Sequence, residues 1–218
     1  MSSILLWQLI DSAFPSGGFA HSWGLESAYQ AGEVASDAAL RQFLRDSLWQ
    51  TGHSVLPATT ATYREPDRFE EIDALCDAFL TNSVANRASR QQGRALMSAC
   101  ARIWPSDAIA ALDARAKRVH GHYAAAAGTA LRTLDLPLSE AQQWVLFSAA
   151  RGVLAAAVRL GIVGPFRAQQ LQYACSGVLR EVLAACGALH VESLTQTAPV
   201  IDLLQSAHDR LYSRLFQS

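Results

Sequence analysis

The chemistry open to this sequence rests first on its six histidines and four cysteines. His120-Gly121-His122 is the most metal-like element, but on a helix two imidazoles at that spacing point about 200° apart and cannot chelate one ion together. A packing or surface role is the favoured reading for the pair. Cys175 and Cys186 share a face if one helix carries both, yet they stand about 16 Å apart along its axis, too far to ligate a common ion. With Cys76 and Cys100 they sit singly in apolar stretches and read as reduced, structural core thiols. Ser16, Ser22, His21 and Asp11 have no spacing that assembles a triad, and no Gly-x-Ser-x-Gly elbow occurs. The loop Pro15-Ser16-Gly17-Gly18-Phe19 invites a phosphate-loop reading, but it lacks a following Lys-Ser/Thr and lies between helical patterns. Adjacent glycines there suit a tight turn with positive φ. No residue is assigned to catalysis, to a cofactor or to a metal, and the chain reads as a non-enzyme.

Binding-type features are more numerous. The last residues, His208 to Ser218, place Arg210 and Arg214 one helical turn apart among Leu211, Tyr212, Leu215 and Phe216. Chain ends fray unless docked, and Tyr and Arg are enriched at interface hot spots. An anchor for a partner and a segment folded on its own bundle are equally good readings of this tail. In Asn86 to Gly93, Arg87, Arg90 and Arg94 recur at helical spacing around Gly93, which costs about 1 kcal/mol relative to alanine in a helix interior. Close approach of another backbone is one explanation; a solvated basic face is the slightly favoured one.

The elements that must position these residues are helical. Apolar residues recur at three and four almost throughout, the mark of an all-α chain. Ile72, Leu75, Cys76, Phe79 and Leu80 form one stripe on a helix starting near Pro66-Asp67. Leu40, Phe43, Leu44 and Leu48 follow the capping candidates Ser36 and Asp37. Ser139 with Gln142 reads as a capping box opening a central helix that carries Leu146, Ala150, Val153, Leu154, Ala157 and Leu160 to the stop at Gly164-Pro165. One further helix starts at Pro165, turns Leu171, Ala174, Cys175, Val178, Val182 and Cys186 inward and ends at Gly187. The last opens near Thr197-Pro199, with Val200, Leu204, Ala207, Leu211 and Leu215 on one face. The expectation is a single-domain helical bundle, residues 1–218, of about eight to ten helices. Its many alanines permit close helix approach.

Half the residues are hydrophobic and 17% charged, so the chain should bury a real core. A formal charge of -1 and the lack of a basic run argue against nucleic acid. Met1-Ser2-Ser3 lacks the cationic start of a secretory leader, which predicts a cytoplasmic protein. Arg151 and Arg159 interrupt the longest apolar stretch, each costing roughly 2.5 to 3.5 kcal/mol at a bilayer centre, so no membrane span is expected.

Three of these segments together resemble the UreF family of urease accessory proteins. Trp7-Gln8-Leu9 to Ser12 and then Phe14-Pro15-Ser16-Gly17-Gly18-Phe19-Ala20-His21-Ser22-Trp23-Gly24-Leu25-Glu26 are similar to its amino-terminal signature. Asn86-Arg87 through Gly93-Arg94 resembles its middle motif, and Tyr212-Ser213-Arg214-Leu215-Phe216 its ending, with His208 where the family commonly has histidine. Order and spacing agree over essentially the whole chain. The resemblance implies an all-helical homodimer, without a cofactor of its own, that binds the accessory protein UreD (UreH), recruits the GTPase UreG and docks on apo-urease to couple GTP hydrolysis to nickel insertion. It implies that Pro15, Gly17, Gly18, Phe19, His21, Ser22, His208, Tyr212, Arg214, Leu215 and Phe216 serve the UreD contact. Glu26, Arg87, Arg90, Gly93, Arg94 and Arg159 are assigned to a GTPase or dimer surface. The competing reading is a nickel metallochaperone using His21, His120, His122 and His208; a small hydrolase depending on Ser22 is a third.

Overall fold

The computed structural model describes residues 2–218; Met1, part of the leader reading, lies outside the described residues. Among the described residues there is no strand. The helices are α1 (Ser2–Ile10), α2 (Leu25–Gln30), α3 (Asp37–His53), α4 (Val55–Arg64), α5 (Phe69–Phe79) and α6 (Ser83–Ile103), then α7 (Asp107–Ala116), α8 (Tyr123–Thr133), α9 (Leu138–Arg159), α10 (Pro165–Ala174), α11 (Ser176–Cys186) and α12 (Pro199–Ser206). Short 3-10 turns at Gly18–Ala20, Pro66–Arg68, Val191–Ser193 and Ala207–Arg210 link some of them. No described helix is long and apolar enough to cross a membrane.

Local chemistry sets several starts. Ser36 caps α3 by accepting the Ala39 N–H at 3.2 Å, as its position predicts. Asn82 caps α6 through the Val84 and Ala85 N–H groups, and Ser106 caps α7 through that of Ile109. The bundle closes around α8, whose residues Ala124 to Leu131 are all buried against α4 and α6. Small side chains make this approach possible: a Cβ at Gly128 would overlap the Thr59 carbonyl and the Thr62 hydroxyl. The long helix α9 packs on α1, α2, α3, α4, α8, α10 and α11, the central place its apolar pattern predicts.

Five local expectations are corrected. Ser139 and Gln142 do not form a capping box: Pro137 precedes α9, and the buried Gln142 amide instead donates to Thr60 Oγ1 and to the Gly187 carbonyl. The helix expected from Pro165 to Cys186 is broken at Cys175, and Ala174 is exposed. On α5, Leu75 is exposed and Asp73 takes a buried place, because its carboxylate accepts the His120 and His122 backbone N–H groups. His120 and His122 are not helical; they stand just before α8, His122 in extended backbone after the left-handed Gly121, with rings 5.9 Å apart. The final helix stops at Ser206 and its 3-10 turn at Arg210, so Val200, Leu211 and Leu215 share no helix face, and Val200 and Leu215 are exposed. The Leu215, Phe216 and Gln217 N–H groups go to the Glu26 carboxylate and the Ala20 carbonyl in place of a preceding helical turn.

Candidate functional site

The amino-terminal signature and the tail meet on one side of α9. Gly17 (φ 77°) and Gly24 (φ 85°) provide the left-handed backbone that turns the chain from α1 into α2, and Trp23 also adopts positive φ at 60°. This bend presents Ala20 and Ser22 to the tail as hydrogen-bonding backbone. Gln217 donates its N–H to the Ala20 carbonyl at 2.8 Å, and Ser22 donates both its N–H (2.6 Å) and its hydroxyl (3.0 Å) to the Ser218 carbonyl. His21 Nδ1 lies 2.5 Å from the Ser218 hydroxyl.

Glu26 supplies the deeper attachment. Its carboxylate, almost wholly out of solvent, accepts the Leu215 N–H at 2.6 Å, the Phe216 N–H at 3.2 Å and His208 Nε2 at 3.0 Å. A carboxylate with three donors is well satisfied in a buried place. From α9, the Arg159 guanidinium lies between two rings, 4.0 Å from the centre of Phe19 and 4.1 Å from that of Phe216. It also donates to the Phe19 and Leu215 carbonyls at 2.5 and 3.4 Å. Arg87 on α6 and Arg214 in the tail both bond Asp209.

What these contacts leave outside is apolar. Phe19 is 71% exposed, Leu215 60%, and Tyr212 stands fully in solvent. Ile4 and Trp7 are likewise exposed on α1, which packs on α9 as the Gly18–Ala20 turn does. Burial and the positive charges of Arg87 and His208 pull the His21 imidazole down to about 4, so it is neutral at physiological pH.

The positions singled out by sequence therefore divide. His21, Ser22, Glu26, His208 and Phe216 are buried and fasten the tail, while Phe19, Tyr212, Arg214 and Leu215 are presented at the surface. Pro15, Gly17 and Gly18 shape the turn between them. Arg159 belongs to this same face. Gln30, which donates to the Ser213 carbonyl, and Asp209 complete the fastening without any periodicity to mark them.

The middle motif forms a second cluster. Asp77 accepts from Asn86 Nδ2 (3.0 Å), from Arg90 and from His122 Nε2 (3.1 Å), and these bonds hold its carboxyl well below the usual carboxylate range. Burial pushes the His122 imidazole below its ordinary value against the pull of Asp77. Gly93 faces the Gly121–Tyr123 backbone, which a Cβ would overlap, so close approach, and not only a solvated face, explains the glycine. Arg87 and Arg94 remain exposed on α6. Among the described residues, no three or more His, Cys, Asp or Glu side chains are arranged to hold a metal ion. His21 and His208 lie by the tail and His120 and His122 by Asp77, so the four histidines of the metallochaperone reading do not converge. The four cysteines are free and buried, and burial pushes the Cys76 and Cys100 thiols up to about 12.

The profile of the family described as UreF matches residues 34–176. The chain is 35% identical to a urease accessory protein F of Oryza sativa subsp. indica, covering 96% of this chain and 83% of that one. It is 35% identical to the protein of the same name from Arabidopsis thaliana, over 97% and 91%, and 31% identical to the urease accessory protein UreF of Arthrobacter sp. (strain FB24), over 99% and 96%.

Proposed function

This chain belongs to the UreF family of urease accessory proteins, and on that premise we propose that it acts in urease maturation as an adaptor that works by binding alone. Its face of Phe19, Tyr212 and Leu215, with α1 beside it, docks the accessory protein UreD (UreH). A dimer of this chain, so loaded, recruits the GTPase UreG and seats the assembly on apo-urease in the cytoplasm, coupling GTP hydrolysis to nickel insertion. An adaptor needs only differential contacts with two states of a partner to bias that partner's equilibrium.

The observation that carries this reading is the way the tail is fastened. Buried Glu26, His208 and Phe216 fix its backbone, while the large side chains of Tyr212 and Leu215 are turned to solvent. A rigid segment displaying aromatic and aliphatic bulk loses little conformational entropy on binding.

The test is co-expression with UreD, comparing the full chain with Tyr212→Ala/Leu215→Ala. Loss of co-purification from a variant whose circular dichroism and thermal unfolding match the parent supports the docking face. Undiminished complex formation by the double variant and by a chain lacking residues 211–218 would overturn it.

A further inference from the structure

The helix α6 carries charge of one sign only. Over its 21 residues it has four arginines, Arg87, Arg90, Arg94 and Arg102, and no lysine, aspartate or glutamate. An exposed helix ordinarily intersperses opposite charges three and four residues apart, where they attract. Here those spacings hold like charges, Arg87 with Arg90 and Arg90 with Arg94. Such pairs repel, so the helix by itself gains nothing from the arrangement.

A shallow, solvent-open depression runs along the first half of α6, lined by Arg87, Arg90 and Arg94 together with Ser83, Asn86 and Gln91, and no carboxylate is part of this lining. Two aspartates beside it offset part of the charge. Asp77 accepts from Arg90, and Asp209 is shared between Arg87 at 2.8 Å and the tail's Arg214 at 3.4 Å. Arg94 is exposed, its side chain lies over Gly121, and it makes a long bond of 3.4 Å to the Val119 carbonyl. Among the described residues it pairs with no carboxylate. Four guanidiniums are thus balanced by two carboxylates, and the uncompensated charge is on the solvent side.

We propose that this depression docks an acidic helical segment of a partner protein, with Asp or Glu side chains opposite Arg87, Arg90 and Arg94. Arg87 and Arg94 are seven residues apart, about 10.5 Å along the axis, a span that no single carboxylate or phosphate bridges. Carboxylates at i, i+3 or i+4, and i+7 of a second helix repeat at the same rise. Exposed Ser83 and Gln91 supply neutral hydrogen-bonding groups between the charges. The lining offers no aromatic side chain on which bases could stack, which favours a peptide over single-stranded nucleic acid. Charges at such an open surface act on the rate and orientation of encounter and are screened by salt. Tyr212 and Leu215 lie outside the depression, so this contact is separable from the tail face.

The experiment titrates the full chain into a dye-labelled alanine-based helical peptide with glutamates at i, i+4 and i+7, and reads fluorescence anisotropy at low and at physiological salt. Saturable binding that weakens as salt rises is expected, and a peptide with glutamine at the same positions should not bind. Arg94→Glu breaks no ion pair of the free chain and is expected to weaken binding about fivefold or more, since it replaces an attraction with a repulsion. Arg94→Gln should lose about twofold, which keeps the test decisive if the charge reversal disturbs the fold seen by circular dichroism. Arg102→Glu makes the same change in net charge outside the depression and should bind within about twofold of the parent. The tail variant Tyr212→Ala/Leu215→Ala should bind the peptide as the parent does, so failure of this contact and failure of the tail face are told apart. Equal binding of the glutamine peptide, equal losses in Arg94→Glu and Arg102→Glu, loss in the tail variant, or equally tight binding of a single-stranded oligonucleotide would each overturn the proposal.

Discussion

The Glu26 carboxylate and the His208 imidazole meet at 3.0 Å, both almost wholly out of solvent, and between them they bring the end of the chain back to α2. The same carboxylate takes two successive backbone N–H groups of the tail, at Leu215 and Phe216. One side chain thus does for an extended segment what a helix turn would otherwise do for it.

Removing that acceptor should release the tail before it unfolds the bundle. Glu26→Ala strands His208 and two N–H groups, and loss of one partner from a buried charged network typically costs about 3 to 5 kcal/mol. Hydrogen exchange is the measurement: amides 211–218 should lose protection while those of α8 keep theirs. Uniform protection loss across the chain would count against a local latch.

The neutral His21 predicts an acid-sensitive fold. In the unfolded chain this imidazole takes a proton near 6.5, and in the folded chain only at about 4. Its folded value is depressed, so below 6.5 the unfolded state binds more protons and stability falls as pH drops toward 4. At 1.36 kcal/mol per unit the loss reaches at most about 3 kcal/mol. Urea midpoints at pH 7 and pH 5 should differ less in His21→Gln than in the parent; equal slopes would exclude His21 as the cause.

Arg159 couples the loop to the tail through the Phe19 and Phe216 rings. Arg159→Ala should cost about 1 to 3 kcal/mol, the sum of two partly desolvated cation–π contacts. Arg159→Lys retains the charge but not the planar stack, so it should restore only part of this. Full recovery by lysine in denaturant unfolding and in tail hydrogen exchange would reduce the role of Arg159 to charge.

Gly128 reports on the centre of the bundle. Any Cβ there meets the Thr59 carbonyl and the Thr62 hydroxyl, so α4 and α8 must part. Gly128→Ala should destabilise by about 1 to 3 kcal/mol, the usual penalty of overpacking, despite the better helix propensity of alanine. A raised melting temperature would show that the two helices have slack.

Much of this architecture is set by local spacing, and there the sequence is a sufficient guide. The period of apolar residues, Ser36 before α3 and the alanine run of α8 each act through near neighbours, so the all-α character and several helix bounds are readable without coordinates. Other features depend on groups far away in the chain. Gln142 has the right spacing to cap a helix, but Thr60 and Gly187 offer it better partners. Residues 211–218 have the period of a helix, but Glu26, Ala20 and Ser22 capture their backbone first. Periodicity carries no information about such acceptors, since nothing in the tail announces a carboxylate on α2. For the same reason, which of His208, Tyr212, Arg214, Leu215 and Phe216 face inward or outward was decided only when the tail closed on α9.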